Sequence, residues 1–320
     1  MMYVQQPPNA VQVEASEGCN LRCTFCGIQG IREAAGGPYK LMTLDTAERV
    51  ASEMRRLKWP ARVEFAMHGE PTMNPLLPKI LGRFRAALPG NQIMVTSNGG
   101  GLLKDPSVID AMFTAGLNLL CLDNYEYVKI VPKVLARWRN DQRIPVFQYP
   151  QDAAAPHPHH RHPVSTRAVL VIQDISVAEK GSHATLDNHA GAAAPPLAEP
   201  LKARCAKPFR ELSVRWDGSV ALCCDDWRGS YKIGSVNEVD LDTLWQHPRF
   251  MAARKRLAVG DRAFGVCSGC DKKSVRVGLL PDKLGKAKMP AYSLEDAQHL
   301  LDATSGKPLT PSVPRPWEER

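Results

Sequence analysis

The segment Cys19-Asn-Leu-Arg-Cys23-Thr-Phe-Cys26 places three cysteines on one stretch directly after a short apolar run at 11–15, which reads as a strand. Three thiolates on one loop can hold three irons of a [4Fe–4S] cluster and leave the fourth iron open to a small molecule. Structural zinc would need a fourth ligand nearby, and no Cys or His lies between residues 27 and 67. The ligand count therefore favours a cluster with an open iron.

Strands and helices alternate after this loop. Helical patterns span 44–57, the region around 80–84, and 106–115, where Asp105 and Pro106 mark the start and Gly116 the end. Candidates for a fifth and a sixth strand lie at 144–149 and 168–172. This rhythm predicts a parallel α/β architecture, either a doubly wound sheet or an incomplete barrel.

Polar motifs follow three of the predicted strands at the point where each strand ends. The strands and motifs are 62–67 with His68-Gly69-Glu70-Pro71, 92–96 with Thr96-Ser97-Asn98-Gly99, and 117–123 with Leu120-Cys121-Leu122-Asp123. Because α/β barrels carry their chemistry at the carboxyl ends of their strands, these positions favour a barrel.

Together the motifs resemble the radical S-adenosylmethionine (SAM) superfamily over the first 175 residues. The resemblance implies a partial (β/α)6 TIM-like barrel in which Cys19, Cys23 and Cys26 hold a [4Fe–4S] cluster whose open iron chelates SAM. It implies reductive cleavage of SAM to methionine and a 5′-deoxyadenosyl radical, which abstracts a hydrogen atom from a substrate. An electron donor such as flavodoxin or ferredoxin is then expected.

The resemblance also assigns cofactor-binding positions. Phe25 matches the aromatic residue that packs near the adenine, and Thr96, Ser97 and Asn98 match the segment near the ribose and carboxylate. The stretch His68-Gly69-Glu70-Pro71 matches the G-G-E-P segment that binds the SAM amino group, with histidine in place of the first glycine.

Cys121 and Asp123 occupy the position of the family's S-x-D motif. They lie two residues apart on a strand, so both side chains point the same way. Cys121 is a candidate hydrogen-atom donor, with a small core-filling residue as the alternative, and Asp123 is a candidate proton acceptor.

A second group of cysteines lies beyond residue 200, where Asp217-Gly218 predicts a hairpin between 211–216 and 219–223, followed by a helix at 241–258. The candidate ligands are Cys205, Cys223, Cys267 and Cys270. Their spacing resembles the shortened SPASM module called twitch, which binds one auxiliary [4Fe–4S] cluster, and is close to that of a deoxy-inosamine dehydrogenase. Four cysteines also fit structural zinc by count, but the first cysteine group favours a cluster.

Cys223 and Cys224 are adjacent, so on a strand they face opposite ways and only one should be a ligand. The spacing favours Cys223. Cys224 is then a spare thiol or, in the opposite register, the ligand itself.

Composition sets the remaining expectations. No run of 18 apolar residues and no signal sequence is readable in the 320 residues, so we expect a cytoplasmic protein without a membrane partner. Predicted divisions are a barrel at 1–203 with long loops at 151–166 and 183–203, a cluster domain at 204–275, and a basic tail with a short helix at 276–320. The net charge of +8 owes much to 272–288, which lowers the expectation of a nucleic-acid partner.

Two further sets of residues are open to a functional or a structural interpretation. We expect the histidines of the 151–166 loop to decorate a mobile segment rather than bind metal, and the tryptophans beyond residue 204 to form a core. These residues are His157, His159, His160 and His162, and Trp216, Trp227 and Trp245.

Three functions follow from this sequence. The first is a two-electron oxidation of a small polyol, aminosugar or nucleotide-like substrate, in which the auxiliary cluster takes the second electron. The second is radical modification of a peptide or nucleic acid; the peptide version is disfavoured because only 18 residues precede Cys19. The third is a metal-binding scaffold or electron carrier, which would not need the aligned strand-end motifs.

Overall fold

A mostly parallel sheet organises the chain in the computed structural model, which describes residues 7–23, 25–28, 39–125, 128–172, 187–193 and 195–272. Its strands are β1 (Ala10–Val13), β4 (Arg62–Phe65), β5 (Ile93–Ser97), β6 (Leu119–Asp123), β7 (Val146–Tyr149), β8 (Ala168–Ile172), β9 (Glu211–Val214), β10 (Ser219–Ala221) and β11 (Lys232–Ser235). Two short strands, β2 (Ser16–Glu17) and β3 (Lys40–Leu41), pair separately beside the first cysteine group.

Helices connect and cover the strands. They are α1 (Leu44–Arg56), α2 (Leu77–Ala87), α3 (Val108–Thr114), α4 (Ile130–Arg137), α5 (Lys207–Arg210), α6 (Leu241–Trp245) and α7 (Pro248–Ala258). Thr43 is the N-cap of α1, where its hydroxyl accepts a hydrogen bond from the Thr46 amide, and α1 buries Ala47, Val50 and Met54 against the sheet. No helix within the described ranges is both long and apolar enough to cross a membrane.

The sheet order is β11-β10-β9-β1-β4-β5-β6-β8-β7, and the strands from β9 to β7 are all parallel. Alternate residues face the helices and form the large core. The opposite face carries a smaller apolar cluster of Met94, Leu119, Cys121, Ala168 and Leu170. This arrangement confirms the predicted partial TIM-like barrel, and we call the second face the inner face.

The last two barrel strands lie in an order that the sequence did not predict. β8 pairs with β6, and β7 lies outside β8 at the edge of the sheet. The physical reason is burial: the Ala-Val-Leu-Val-Ile run of β8 is almost wholly buried, whereas β7 alternates between exposed and half-buried residues. The uniformly apolar strand therefore takes the interior position.

The C-terminal hairpin continues the barrel sheet. β9 pairs with β1 in parallel, from Ala10 with Glu211 to Val13 with Val214, and β10 pairs with β9 in antiparallel. The sheet thus crosses the predicted division near residue 203. Gly218 adopts φ +80° in the turn after Asp217, as a tight hairpin requires.

Two predicted helix boundaries are wrong. The helix expected at 241–258 is divided, because Pro248 cannot continue α6 and instead begins α7, whose N-cap is His247. The helix expected from Pro106 begins at Val108 with Ser107 as N-cap. Asp105 caps the turn ahead of it, accepting a hydrogen bond from the Ser107 amide at 3.0 Å.

The 151–166 loop makes specific contacts with the barrel. The Arg62 guanidinium on the inner face donates to the carbonyl oxygens of Pro158 and His160 at 2.7 and 2.8 Å. The rings of His157 and His160 stack with centroids 3.8 Å apart, and burial lowers the pKa of His160 to about 4. His157 and His160 therefore pack as neutral stacked rings in a loop that Arg62 holds against the inner face.

The three C-terminal tryptophans have different surroundings. Trp245 is fully buried and packs edge-on against Trp59, with ring centroids 6.2 Å apart, so it is a core residue as predicted. Trp216 is half-buried and lies under the ammonium group of Lys40. Trp227 lies between two histidine rings, and its role is described below.

Candidate functional site

The first cysteine loop is fixed by the segment that follows β4. The Glu70 amide donates to the Gly18 carbonyl at 2.8 Å, and the Ser16 hydroxyl donates to the Glu70 carbonyl at 2.6 Å. Gly69 directly precedes Glu70 and adopts φ +77°. The backbone that follows Gly69 is therefore bonded to the start of the cysteine loop through both the amide and the carbonyl of Glu70.

Gly69 provides a stability prediction. A Cβ atom at this position would lie 2.4 Å from the Ser16 carbonyl oxygen and 2.5 Å from that of Gly18, both of which belong to the backbone. Gly69→Ala should therefore lower the free energy of unfolding by about 2 to 5 kcal/mol, from the left-handed conformation and the overpacking together. Urea unfolding measures the change.

Gly82→Ala is the matched control. A Cβ atom at Gly82, in α2, would meet nothing within 4 Å, so alanine should raise the free energy of unfolding by about 0.5 to 1 kcal/mol through helix propensity. Equal unfolding midpoints for the two variants would contradict the close approach at Gly69.

The Glu70 carboxylate joins two of the predicted motifs. It is buried and accepts hydrogen bonds from the Thr72 amide at 3.0 Å, the Ser97 hydroxyl at 2.6 Å and the Asn98 amide at 2.7 Å. Burial raises the pKa of Glu70 above its usual range, against the effect of these donors. The side chains of Glu70 and Ser97 are thus hydrogen-bonded to each other, and together they shape the backbone of the site.

Asn98 extends this network to the cysteines. Its side-chain nitrogen Nδ2 lies 3.3 Å from the Cys19 sulfur and 3.2 Å from the Asn20 side-chain oxygen. The Cys26 amide donates to the Cys23 carbonyl at 3.1 Å, which closes the loop into a turn. Burial, and the nearby thiols, raise the pKa of Cys19 to about 12.

Phe25, the residue predicted to lie near adenine, stacks on an aromatic ring that the sequence analysis missed. Its ring and that of Tyr125 are 5.9 Å apart at 27°. Tyr125 follows Asp123 by two positions, and burial raises its pKa, with smaller contributions from Asp123 and the three cysteines. The i, i+2 spacing was the signal that could have identified Tyr125.

Cys121 and Asp123 point to the inner face, in register with Leu170 and Ile172 of β8. Burial raises the pKa of Asp123 to about 7, and the negative charge of Glu70 contributes. Burial, followed by the Asp123 charge, raises the pKa of Cys121 so that it stays a thiol. Thr96 pairs in register with Cys121, so the ends of β5 and β6 lie side by side.

His68 departs from the family pattern and has a structural role of its own. Its ring is fully buried, with Nδ1 2.8 Å from the Glu14 carboxylate and Nε2 2.8 Å from the Cys224 carbonyl oxygen. The ring therefore connects the end of β4 with β1 and with the second cysteine group. Pro71, buried next to Glu70, begins the short 3-10 turn at Pro71–Met73.

The second cysteine group surrounds a cavity. Its lining includes all four predicted ligands and the cationic side chains of three residues. The cysteines are Cys205, Cys223, Cys267 and Cys270, and the cationic residues are Lys207, Arg262 and Lys272. These cations would compensate the negative charge of bound thiolates.

Cys224 lies apart from this cavity. The Lys207 ammonium donates to its sulfur at 2.7 Å and is also 3.0 Å from the Asp225 carboxylate. Cys223 lines the cavity and Cys224 does not, so the structure supports the first register and leaves Cys224 as a half-buried thiol beside an ammonium group.

The donor sets at both sites fit iron–sulfur clusters. Burial raises the pKa of Cys267 to about 12 and of Cys270 to about 11, so these thiols ionise at neutral pH only when a metal cation binds them. No group of three or more His, Cys, Asp or Glu side chains in the described ranges converges on a single metal ion. The four cysteines instead border a shared space, as ligands of a larger cluster would.

Comparison with known proteins agrees with this geometry. Residues 13–138 match the model of the radical SAM superfamily, and residues 205–271 match that of an iron–sulfur cluster-binding domain, SPASM. The chain therefore belongs to the radical SAM superfamily. Its C-terminal part is a SPASM-type domain, and its cofactors are accordingly SAM, a SAM-binding [4Fe–4S] cluster and a further iron–sulfur cluster. No curated protein matches the chain significantly in sequence.

Solved structures match the fold. A crystal structure of BtrN in complex with AdoMet and 2-DOIA is 17% identical, with a TM-score of 0.64, and covers 86% of this chain and 97% of BtrN. BtrN in an open conformation matches over the same shares of both chains, at 17% identity and a TM-score of 0.56. An AdoMet-bound structure of anSMEcpe is 12% identical, with a TM-score of 0.47, and covers 92% of this chain and 93% of its own.

Proposed function

We propose that this enzyme oxidises an alcohol or amine carbon of a small polyol, aminosugar or nucleotide-like substrate by two electrons. Cys19, Cys23 and Cys26 would hold the cluster whose open iron binds SAM, and this cofactor would supply the organic radical needed to abstract a hydrogen atom from that carbon. Asp123 then accepts the hydroxyl or amine proton. Cys205, Cys223, Cys267 and Cys270 would hold the iron–sulfur cluster that could take up the remaining electron.

The proposed oxidation balances in atoms and electrons. A CH–OH group loses one hydrogen atom, one proton and one electron to give C=O. An amine gives the imine in the same way. An organic radical next to a hydroxyl or amine is a strong reductant, and a nearby cluster is a suitable acceptor.

The observation that carries the proposal is the place of Asp123. It ends β6 on the inner face, two residues before the Tyr125 ring that stacks on Phe25, and its pKa is raised to about 7. A carboxyl group with that pKa accepts a proton efficiently near neutral pH. The likeness to BtrN, solved with both AdoMet and 2-DOIA, supports room for a cofactor and a second ligand in one chain of this fold.

The partners follow from the same chemistry. We propose a flavodoxin or ferredoxin as the electron donor to the SAM-binding cluster. The contacts of Glu70 with the end of β5 support an enzyme over a metal-binding scaffold or electron carrier, because a carrier would not need side chains of neighbouring strand ends joined in this way.

Product mass tests the reaction class. Reconstituted enzyme is incubated with dithionite, SAM and a panel of cyclic polyols, aminosugars and nucleosides. The expected product is two hydrogens lighter than its substrate and forms with one SAM consumed per turnover. Any other mass change would sink the oxidation while leaving the superfamily assignment intact.

Asp123→Asn tests the proton acceptor. Product formation should fall by about 10²- to 10⁴-fold, while 5′-deoxyadenosine still forms, because asparagine cannot accept the proton. In the wild type, activity should rise with pH and level off above about 7, since only the ionised carboxylate is competent. The ratio of product to 5′-deoxyadenosine is the measurement.

Asp141→Asn is the control, because Asp141 is an exposed carboxylate on the loop before β7. It should leave both the ratio and the pH profile unchanged. An unaltered product ratio in Asp123→Asn would remove Asp123 from the mechanism.

A further inference from the structure

A two-residue bridge joins the two cysteine sites. His189 Nδ1 accepts a hydrogen bond from the Gly27 amide at 3.0 Å, directly after Cys26. Its neighbour Asn188 donates through its side chain to the Gly269 carbonyl at 2.7 Å, directly before Cys270. One candidate ligand at each site is therefore one residue away from a partner of the bridge.

At the second cysteine site, the bridge contacts the residues on both sides of Cys270. The Asn188 amide donates to the Asp271 carboxylate at 2.7 Å, and the Asp271 amide donates to the Asn188 side-chain oxygen at 3.3 Å. The Lys272 ammonium forms an ion pair with Asp187. The position of residues 187–189 therefore determines the position of the backbone from Gly269 to Lys272.

Close packing at both ends requires glycine. A Cβ atom at Gly27 would lie 2.7 Å from the Trp227 ring and 3.0 Å from His189 Nδ1. A Cβ atom at Gly269 would lie 2.5 Å from the side chain of Pro196. Neither end can move without changing the backbone beside a cysteine.

Trp227 connects this bridge to the SAM segment. Its ring lies 4.8 Å from that of His189, nearly parallel at 19°, and 4.7 Å from that of His68. His68 directly precedes Gly69 and also contacts the Cys224 carbonyl, next to Cys223. A second route therefore leads from the auxiliary site to the backbone that fixes the first cysteine loop.

The bridge has an unusual backbone. His189 and Ala190 both adopt left-handed conformations, with φ of 47° and 53°. Each such residue costs about 1 kcal/mol or more unless it is glycine. Strain of this kind persists where surrounding contacts over-determine the conformation, and it is concentrated at functional positions.

We propose that Asn188 and His189 are positioning residues that couple the two sites, so that an assembled auxiliary site tightens SAM binding at the first site. The coupling acts through the Gly27 amide, which fixes the Cys26 end of the loop. It depends on the assignment of the two cysteine sites and not on the substrate, so SAM affinity tests the coupling and product mass tests the oxidation.

SAM affinity of reconstituted enzyme, measured by anaerobic equilibrium dialysis with radiolabelled SAM, tests this coupling. His189→Phe keeps an aromatic ring but loses the acceptor, and it should raise the Kd for SAM about five- to tenfold. His189→Asn restores an acceptor and tolerates the left-handed backbone, so its Kd should stay within twofold of wild type. The SAM-induced change in the EPR spectrum of the reduced cluster should likewise require more SAM in His189→Phe than in His189→Asn or the wild type.

His247→Ala is the matched control. His247 Nδ1 also accepts a backbone amide, that of Arg249 at 3.2 Å, but at the N-terminus of α7. Its removal should leave the Kd for SAM unchanged.

Coupling is then tested by combining changes. Cys267→Ala/Cys270→Ala should raise the Kd for SAM as much as His189→Phe, and the combined variant should show no further increase. An unchanged Kd in His189→Phe would overturn the proposal, as would additive effects in the combination. If the double cysteine variant does not fold, the comparison of His189→Phe with His189→Asn in fully loaded enzyme decides alone.

Discussion

Replacing Cys23 with alanine should remove about four irons per chain and abolish 5′-deoxyadenosine formation. Cys23 is buried, and its carbonyl accepts the Cys26 amide in the turn that brings the three cysteines together. Two ligands cannot retain a cluster whose fourth iron has no protein ligand. Iron analysis of reconstituted protein and chromatography of the SAM products measure the two effects.

Cys121→Ala is the control for iron content. Cys121 lies on the inner face of β6, outside both cysteine groups, so its removal should cost no iron. If Cys23→Ala still made 5′-deoxyadenosine, the first cysteine group would not be the site of SAM cleavage.

Removing the whole first group should leave the auxiliary site loaded. The triple variant Cys19→Ala/Cys23→Ala/Cys26→Ala should keep a brown chromophore of about four irons, because its four ligands lie on other segments and line their own cavity. Adding Cys270→Ala should abolish that chromophore. Visible absorbance together with iron and zinc analysis follows both steps.

Cys224→Ala is the control for ligand choice at this site. Its sulfur contacts Lys207 rather than the cavity, so the variant should keep its iron. Zinc in place of iron after anaerobic reconstitution, or loss of the chromophore in Cys224→Ala, would contradict the assignment. The coupling through His189 concerns affinity for SAM, so it is compatible with separate assembly of the two clusters.

Much of the site could be predicted from the sequence, because its residues lie in short motifs directly after the strands that position them. The strand-end motifs follow directly from a parallel sheet, whose carboxyl ends meet at one edge. Glu70, Ser97 and Asn98 are brought together in this way. Short sequence patterns were enough to identify these residues, because each motif lies within a few residues of the strand that it follows.

The connections between sites were not predictable, because they join residues far apart in the chain. His189 contacts Gly27 across 162 positions, and His68 contacts Cys224 across 156. Neither histidine has a spacing that indicates its partner. Trp227 was interpreted as a core residue for the same reason, since a sequence pattern does not reveal the two histidine rings that it contacts.

The order of β7 and β8 in the sheet was not predictable for a different reason. Both segments read as strands, but their order along the chain does not give their order in the sheet. Burial decides it, because the continuous apolar run of β8 gains more from the interior position than the alternating Val-Phe-Gln-Tyr of β7 does.

The most direct test is the cleavage of SAM itself. Reconstituted wild-type protein, reduced with dithionite under anaerobic conditions, is incubated with SAM and analysed by mass spectrometry. One molecule each of methionine and 5′-deoxyadenosine should appear for every SAM consumed, and none should appear with Cys23→Ala. A protein that carries its full iron, is reduced and binds SAM, yet yields no 5′-deoxyadenosine, would contradict the account.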